Sequence, residues 1–431
     1  MSTVVRHAAE PTSRPAGAWV AAFDTTPGRL RLLRAVLVGL GLLLAVMSAA
    51  TVTFAIKGTH TVARSTEPLL VNAETIYSSL ADADTTAAQA FLSGGLEPAA
   101  QTQRYTADIS RVGDQLAQAA SRVGQSGRAA DAVGTLASQL PVYAGLIQSA
   151  RANNRQGLPV GASYLGEASR LARGSLLPAA DQLFTVEQQQ LRVGYAAARA
   201  GTWLLWTTVI GVALLVSLLI TQAFLTRRTR RLFNINLVVA TVVVAVLAAV
   251  MAGILLTQHH RLDTAESHGS TPVAAAARAR ITALVQRGDE SLTLVSRGTS
   301  ASYEKDFTAA QAGLLGDQTQ PGLLPSGSTA RALEMQYLAK HAQVRKLDDG
   351  GNYNAAVTLA TSTAPGGAAA AFALLDNNLT AAISADQARF TSSAGHADTG
   401  LALLDVLAPL LAVLVCVLSI LGLRARLEEY R

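Results

Sequence analysis

Four long apolar segments divide this chain and leave two polar blocks of similar length between them. The segments are Leu32–Ile56, Trp203–Leu225, Ile235–Thr257 and Leu401–Leu423. Each segment carries at most one charge, and about 20 apolar helical residues are enough to cross the hydrocarbon core of a bilayer. The sequence therefore predicts an all-α membrane protein with four transmembrane helices.

The spans and the blocks between them define the predicted domains. In chain order these are a cytoplasmic N-terminal tail (1–31), transmembrane helix 1 (32–56), a helical bundle (57–202), transmembrane helix 2 (203–225), an arginine-rich loop (226–234), transmembrane helix 3 (235–257), a second helical bundle (258–400), transmembrane helix 4 (401–423) and a tail (424–431). Each bundle is large enough for its own core. The single cysteine, Cys416, lies in the fourth span, so packing rather than disulfides must hold both bundles.

The net charge of +6 is concentrated in short segments outside the blocks. The first 34 residues, the loop and the C-terminal tail are all basic, whereas the two blocks are nearly neutral. An excess of arginine in short segments marks the cytoplasmic side of a membrane. Both termini and the loop are therefore predicted to be cytoplasmic and the blocks extracytoplasmic, in a multi-pass protein of the cell membrane. The charge is explained by topology and predicts no nucleic-acid partner.

Both blocks have the pattern of helical bundles. Leu69, Ile76, Ala83 and Ala90 recur at intervals of seven residues, as on one face of a packed helix. The pattern ends at Gly94 and Gly95, which favour a helix C-terminus. The second block repeats the plan faintly, because segments 84–94 and 289–298 occupy matching places. We interpret the chain as a tandem duplication of two four-helix-bundle-like domains.

The connections of each bundle alternate between its two ends. When the first and last helices lead into the membrane, the first and third connections must lie at the end far from it. Segments 94–98 and 153–161 then share one distal tip, and segments 298–302 and 348–352 share a second tip.

The first tip holds the most informative polar cluster of the sequence. Its predicted docking residues are Glu97, Arg151, Asn153, Asn154 and Arg155. Arginine offers a fork of donors that suits carboxylates, so one hypothesis is a partner-docking or anion-recognising surface. The alternative is a solvated helix terminus, where arginine and asparagine commonly satisfy free carbonyls. Local chemistry alone favours the alternative.

Two further sets of residues are candidates near or within the membrane. Asp405 lies in the fourth span, where a carboxylate is costly if it faces lipid, and it precedes a helix-distorting Pro409. Asp405 could equally reach towards headgroup water. The arginines of the loop are Arg227, Arg228, Arg230 and Arg231. They are a topology determinant, and they could also contact an acidic cytoplasmic partner or anionic lipid of the bilayer.

No catalytic, cofactor or metal motif is recognisable. The sequence contains no phosphate-binding glycine loop, nucleophile elbow or cysteine zinc site. His259, His260 and His268 follow the third span without a set of carboxylates or cysteines that would complete a metal site. The protein is therefore not expected to be an enzyme, and no cofactor or metal is expected.

Four sequence strings resemble a known family. They are Phe23–Arg29 (FDTTPGR), Leu80–Asp84 (LADAD), Phe91–Pro98 (FLSGGLEP) and Ala150–Gly161 (ARANNRQGLPVG). The chain resembles the GlnX family, the actinobacterial four-span membrane proteins of the glutamine/glutamate-sensing pathway. The resemblance implies two partners, an extracytoplasmic substrate-binding lipoprotein for amino acids and the cytosolic serine/threonine kinase G. It also gives the tip cluster more weight as a partner surface.

Three functional hypotheses follow. The preferred one is a non-enzymatic transmembrane relay that passes the state of an extracytoplasmic binding protein to a cytosolic kinase. The second is a direct small-molecule receptor with bundles like those of chemoreceptors, although the signalling helices of such receptors are absent from this sequence. A transporter is the third and is disfavoured, because transporters place several polar groups near the midplane. The sequence does not fix the oligomeric state, and an oligomer is compatible with it.

Overall fold

The computed structural model describes residues 26–61, 67–124, 126–198, 201–229, 234–267, 271–297, 301–317, 320–395 and 401–427. Within these residues the chain is α-helical, with one isolated β-bridge between Gly316 and Pro321 and no strand. This confirms the predicted all-α fold. The chain forms two compact units: a span unit (1–56, 200–257 and 399–431) and a bundle unit (57–199 and 258–398).

The helices follow one another in a simple order. They are α1 (Thr26–Thr61), α2 (Glu67–Leu92), α3 (Ala99–Arg122), α4 (Arg128–Arg155), α5 (Val160–Leu171), α6 (Leu177–Ala198), α7 (Gly201–Thr229), α8 (Ile235–Ala265), α9 (Thr271–Val295), α10 (Ala301–Leu315), α11 (Thr329–Asp349), α12 (Tyr353–Thr361), α13 (Ala368–Gly395) and α14 (Leu401–Leu427). A five-residue π-helical segment, Ala172–Leu176, joins α5 to α6.

The span unit contains the four predicted transmembrane helices. Parts of α1, α7, α8 and α14 are long and apolar enough to cross a membrane. Large apolar side chains remain exposed on all four helices, including Val46 (62%), Leu205 (61%), Val242 (55%) and Leu410 (59%). Exposed apolar surface of this extent is what a lipid environment requires. The prediction of a multi-pass membrane protein is thereby confirmed.

Close contacts hold the span helices together. The hydroxyl groups of Thr51 and Thr207 are 2.7 Å apart and join α1 to α7. A side chain on Gly41 would meet Cys416 of α14, so these two helices pack at short range there. Asn234 donates from its Nδ2 to the Gly422 carbonyl oxygen at 2.6 Å, which fixes the start of α8 against α14.

The helix boundaries in the bundle unit follow local chemistry. After α2, Gly94 and Gly95 adopt positive φ values of 62° and 53°, which a residue with a side chain rarely adopts. Pro98 directly precedes α3. Pro141 lies within α4, which nevertheless continues to Arg155. Gly174 lies in the π-helical segment.

The second half of the bundle unit has the same order of helices as the first. In each half a long helix is followed by two further helices, a short helix and a final long helix. A break at 364–367 separates α12 from α13, and Gly366 there has a φ of 97°. The same helix order agrees with the predicted duplication. Residues 298–300 of the second predicted tip lie outside the described residues.

The two halves share one hydrophobic core. Buried side chains of α2, including Ile76 and Leu80, belong to the same cluster as Ile281 and Leu284 of α9. The Thr85 hydroxyl donates to the carbonyl oxygen of Leu284 at 2.7 Å. The sequence indicated two bundles with separate tips. In the structure their first helices, α2 and α9, pack against each other within one compact unit.

The contact of α2 with α9 is closest at Gly288. A Cβ atom at this buried position would lie 3.4 Å from the Thr85 Oγ1 and 3.2 Å from the Arg173 Nη2. We predict that Gly288→Leu forces the two helices apart and lowers the free energy of unfolding by about 1–3 kcal/mol. Hydrogen exchange of α2 and α9 in the full chain, followed by mass spectrometry, measures the effect. Gly134→Leu is the control, because no atom lies within 4 Å of its Cβ position. Equal exchange in both variants would contradict close packing at Gly288.

Candidate functional site

A buried arginine joins the two halves of the bundle unit. Arg173, in the π-helical segment, forms an ion pair with Asp289 of α9, and its Nε lies 3.8 Å from the Asp84 Oδ2 of α2. Asp84 also accepts hydrogen bonds from Ser169 at 2.9 Å and from Tyr143 at 3.4 Å. We call these five residues the Arg173 cluster. The π-helical segment inserts an extra residue into the helix, a feature common at functional sites.

The Arg173 cluster holds two carboxyl groups against one guanidinium. Burial raises the pKa of Asp289 to about 7 although Arg173 opposes the shift. Burial raises the pKa of Asp84 as well, again against the effect of Arg173 and the hydroxyl donors. Two aspartates therefore compete for one cation inside the unit. Both carboxyl groups are therefore protonated more easily than a solvated aspartate.

A second charge network crosses between the halves and is balanced. Arg104 of α3 donates to Asp82 at 2.9 Å and to Asp376 of α13 at 3.2 Å. Arg280 of α9 donates to Asp376 at 2.7 Å and lies 3.6 Å from Asp82. Two arginines thus meet two aspartates. Three helices besides α2 contribute to the network, so it fixes the relative position of both halves.

Two of the predicted docking residues form a structural ion pair. The Arg151 Nε lies 3.1 Å from the Glu97 Oε1, and both side chains are about nine-tenths buried. The guanidinium also stacks over the Tyr105 ring, 4.1 Å from its centroid. The interpretation of Arg151 and Glu97 as surface docking residues is therefore corrected. The pair fastens the connection between α2 and α3 to the end of α4.

The other three predicted tip residues differ in their exposure. Asn153 donates from its Nδ2 to the Ser149 carbonyl oxygen at 2.8 Å. This contact fits the alternative interpretation, in which asparagine satisfies a carbonyl group at the end of the helix. Asn154 donates to the Phe91 carbonyl oxygen at 3.1 Å and so joins α4 to the end of α2. Arg155 is exposed. Of the predicted cluster, Arg155 alone presents its charge fully at the surface.

The ends of the two halves enclose one groove. We call it the tip groove; its volume is about 750 Å³. It is lined by Phe91, Leu92, Gly94, Asn154, Gly157, Leu158, Pro159, Ala162, Val295, Arg297, Tyr353, Asn354, Val357 and Thr358. The lining residues from Phe91 to Ala162 belong to the first half, and those from Val295 to Thr358 belong to the second half. The two predicted tips therefore meet, an outcome that the sequence did not indicate.

The candidates in the span unit lie in differing surroundings. Asp405 is exposed on α14, and the Thr53 hydroxyl lies 3.5 Å from its Oδ1. Pro409 lies inside α14, which continues through it. Arg227 is exposed near the end of α7. Arg228 is also in α7, and Arg230 and Arg231 lie outside the described residues.

A buried histidine network in the second half was not anticipated. The His341 Nδ1 lies 3.0 Å from the Glu290 Oε2, and its Nε2 lies 3.2 Å from the Glu304 Oε1. The ring stacks on Phe307 at a centroid distance of 3.6 Å. Glu290 also pairs with the buried Arg287. Spacing along the chain gives no signal for this network, because its members come from three helices. The described residues contain no group of three or more His, Cys, Asp or Glu side chains that could hold a metal.

These features define the class of the protein: a multi-pass membrane protein with a two-half helical bundle unit. Residues 58–196 match the family model described as an actinobacterial sensor domain. The matched region covers the first half of the bundle unit, including Arg173 and Asn154. No curated protein and no solved structure matches the chain. The family match supports an actinobacterial sensor protein with a sensory or signalling role.

The Arg173 cluster predicts a large loss of stability when its cation is removed. Arg173→Gln leaves two buried carboxyl groups without a countercharge, and breaking such a pair costs about 3–5 kcal/mol. Adding Asp289→Asn should restore part of this loss, because the amide carries no charge. Thermal unfolding of the purified full chain, followed by circular dichroism, measures both changes. Arg170→Gln is the control, since Arg170 pairs with Glu167 at the surface and such pairs contribute below about 1 kcal/mol. Additive effects of Arg173→Gln and Asp289→Asn would contradict the cluster.

The His341 network predicts a stability that falls with rising pH. Burial lowers the pKa of His341, but hydrogen bonds and the charges of Glu290 and Glu304 outweigh it and raise the pKa. The contribution of charged His341 is therefore complete below its unfolded pKa of about 6.5 and is lost as pH rises through the higher folded value. Each unit of difference between the folded and unfolded pKa values corresponds to about 1.4 kcal/mol in the free energy of unfolding.

The measurement compares the melting temperature at acidic and alkaline pH. The full chain should lose stability as pH rises above about 6.5, and His341→Gln should lose less. Asp289 and Glu334, whose pKa values burial raises to about 7, act in the same direction and remain in the variant. Some pH dependence therefore persists. Identical pH profiles of the variant and the parent would contradict the role of His341.

Proposed function

We propose that this protein is a non-enzymatic transmembrane relay of the GlnX type. An extracytoplasmic substrate-binding lipoprotein, loaded with an amino acid, docks on the tip of the bundle unit. The bundle unit then favours one arrangement of its helices, and the span helices carry the change to a cytosolic serine/threonine kinase. The sensor-domain match and the family-like strings support this proposal.

The observation that carries the proposal is the shared core of the two halves. Asp84 lies seven residues before Phe91 on α2, which is about 10 Å at 1.5 Å per residue. Asp289 lies six residues before Val295 on α9. Both helices thus run directly from the tip groove to the Arg173 cluster. A binding event at the tip acts on two helices whose relative position is set by buried charges.

The docking surface we propose is apolar with one cation. Leu96 is 87% exposed, and Leu158 and Val160 are 44% and 46% exposed. The Glu97–Arg151 pair holds Leu96 near the end of α4, and exposed Arg155 lies at that same helix end. Exposed apolar side chains beside a charge are typical of protein interaction surfaces. The sequence-based hypothesis placed Arg151 on the docking surface. Because Arg151 is buried, the surface proposed here uses the exposed Arg155 as its cation instead.

The relay requires the bundle unit outside the cell and the basic segments inside. The concentration of arginine in the loop and the tails supports this orientation. Shifts of packed helices by about 1–2 Å are a common means of passing a signal. Arg227, Arg228, Arg230 and Arg231 are then available to contact the kinase or anionic lipid. In this proposal the response is delivered by a separate soluble effector, the cytosolic kinase.

The proposal predicts that a charge on the docking surface prevents capture of the lipoprotein. Leu158→Asp should reduce co-purification of the substrate-binding lipoprotein with the tagged full chain by at least about tenfold, which corresponds to about 1.4 kcal/mol. It should also abolish the change in cytosolic serine/threonine phosphorylation when amino acids are supplied outside the cell. Quantitative immunoblotting of membranes checks that the abundance of the chain is unchanged.

Val142→Asp is the matched control. Val142 is 50% exposed on α4 and lies 13 residues before Arg155, which is about 20 Å along the helix at 1.5 Å per residue, so this substitution should preserve both capture and response. Equal capture by Leu158→Asp and the parent would remove the docking surface from the proposal. A phosphorylation response that persists in cells lacking the chain would remove the relay itself.

A further inference from the structure

The tip groove has the size and lining of a ligand site. Its volume of about 750 Å³ lies in the range of about 300–1,000 Å³ that is usual for small-molecule pockets. Leu92 of the first half packs with Tyr353 and Val357 of the second half against one buried apolar cluster. The groove is therefore a cleft on a packed base rather than a gap between unconnected loops. The lining also contains the polar side chains of Asn154, Asn354 and Thr358 beside the apolar Phe91 and Leu158.

A single formal charge lies in this lining, and it is positive. Arg297 stacks on the Tyr353 ring with its guanidinium carbon 4.1 Å from the centroid. No carboxylate pairs with it in the part of the chain that the structure describes. Its backbone adopts a φ of 30°, a conformation that side-chain-bearing residues rarely take unless the surroundings impose it. Arg297 is exposed, so the groove presents to solvent a cation that rests on an aromatic ring.

Backbone groups add to the positive character of the groove. The first residues of α5 and α12, around Pro159 and Tyr353, line it. Neither helix has a side-chain hydrogen bond at its N-terminus, so the first N–H groups are not capped by a side chain. Among the residues that the structure describes, none of those that line the groove is an aspartate or glutamate. An ammonium group would therefore find no countercharge there.

We propose that the tip groove binds a small organic monocarboxylate with an apolar body, such as an N-acylated apolar amino acid. The carboxylate pairs with Arg297, and the apolar body lies against Phe91, Leu158 and Val357. A zwitterionic amino acid is disfavoured, because its ammonium group would be desolvated without an acidic partner. This inference goes beyond the relay and does not depend on the lipoprotein.

Ligand-observed NMR on the full chain in lipid nanodiscs tests the proposal. The probe is N-acetyl-L-leucine, with neutral N-acetyl-L-leucinamide and zwitterionic L-leucine as comparisons. Saturation transfer to the probe should exceed transfer to both comparisons. Arg297→Gln should weaken binding of the probe at least about tenfold, since a charge-assisted pair is lost. Arg170→Gln, at an arginine that pairs with Glu167 on the surface, should leave binding unchanged.

A second variant separates binding from folding. Tyr353→Leu keeps an apolar side chain on the groove wall but removes the ring on which Arg297 rests, so it should also weaken binding of the probe. Hydrogen exchange of α9 and α12 shows whether a variant has kept its fold. If a variant has not, Arg297→Lys is measured in its place, and it should retain partial binding of the probe. The proposal is overturned if the probe does not bind the parent chain, if the neutral amide binds equally well, or if Arg297→Gln binds like the parent. None of these outcomes bears on capture of the lipoprotein.

Discussion

A cation shared by two buried acids, together with the network of Arg104 and Arg280, determines how the two halves of the bundle unit fit together. Asp84 on α2 and Asp289 on α9 both require Arg173, and each carboxyl group is buried. Removing a charge from water costs several kcal/mol unless a partner is in place. The two helices can therefore approach closely only where Arg173 serves both acids. Gly288 permits that approach, because it has no side chain to displace Thr85 of α2.

The spans and most helix ends could be predicted from sequence because their causes are local. A run of apolar residues determines whether a helix crosses a membrane. The paired glycines after α2 end that helix through their own backbone conformation, whichever helices α2 packs against. The contact between halves could not be predicted in the same way. It joins residues about 200 positions apart, and the extra residue of the π-helical segment that directs Arg173 leaves no recognisable pattern in the sequence.

The tip shows how local chemistry can mislead. An arginine in the last turn of a helix has the same sequence context whether it is solvated or buried. Arg151 is buried because the connection after α2 folds back and brings Glu97 to it, whereas Arg155, one turn later, remains exposed. Arg297 carried no signal in the sequence, since its importance depends on Tyr353 and on the groove formed by the other half. A functional residue of this kind becomes recognisable only when both halves are in place.

The buried charges also bear on how a weak event at the tip could be passed on. If α2 and α9 slid apart gradually, Arg173 would leave one aspartate without a partner, and the energy would rise steeply unless a proton were taken up. Such an interface favours a small number of distinct arrangements over a continuous range. A ligand or partner shifts the balance between arrangements only by its difference in affinity for them. Because the groove is formed by the ends of α2 and α9 themselves, a molecule bound there would contact both helices whose relative position differs between the arrangements. That coupling needs no long chain of intermediate residues, because each helix is itself the connection from the tip groove to the Arg173 cluster.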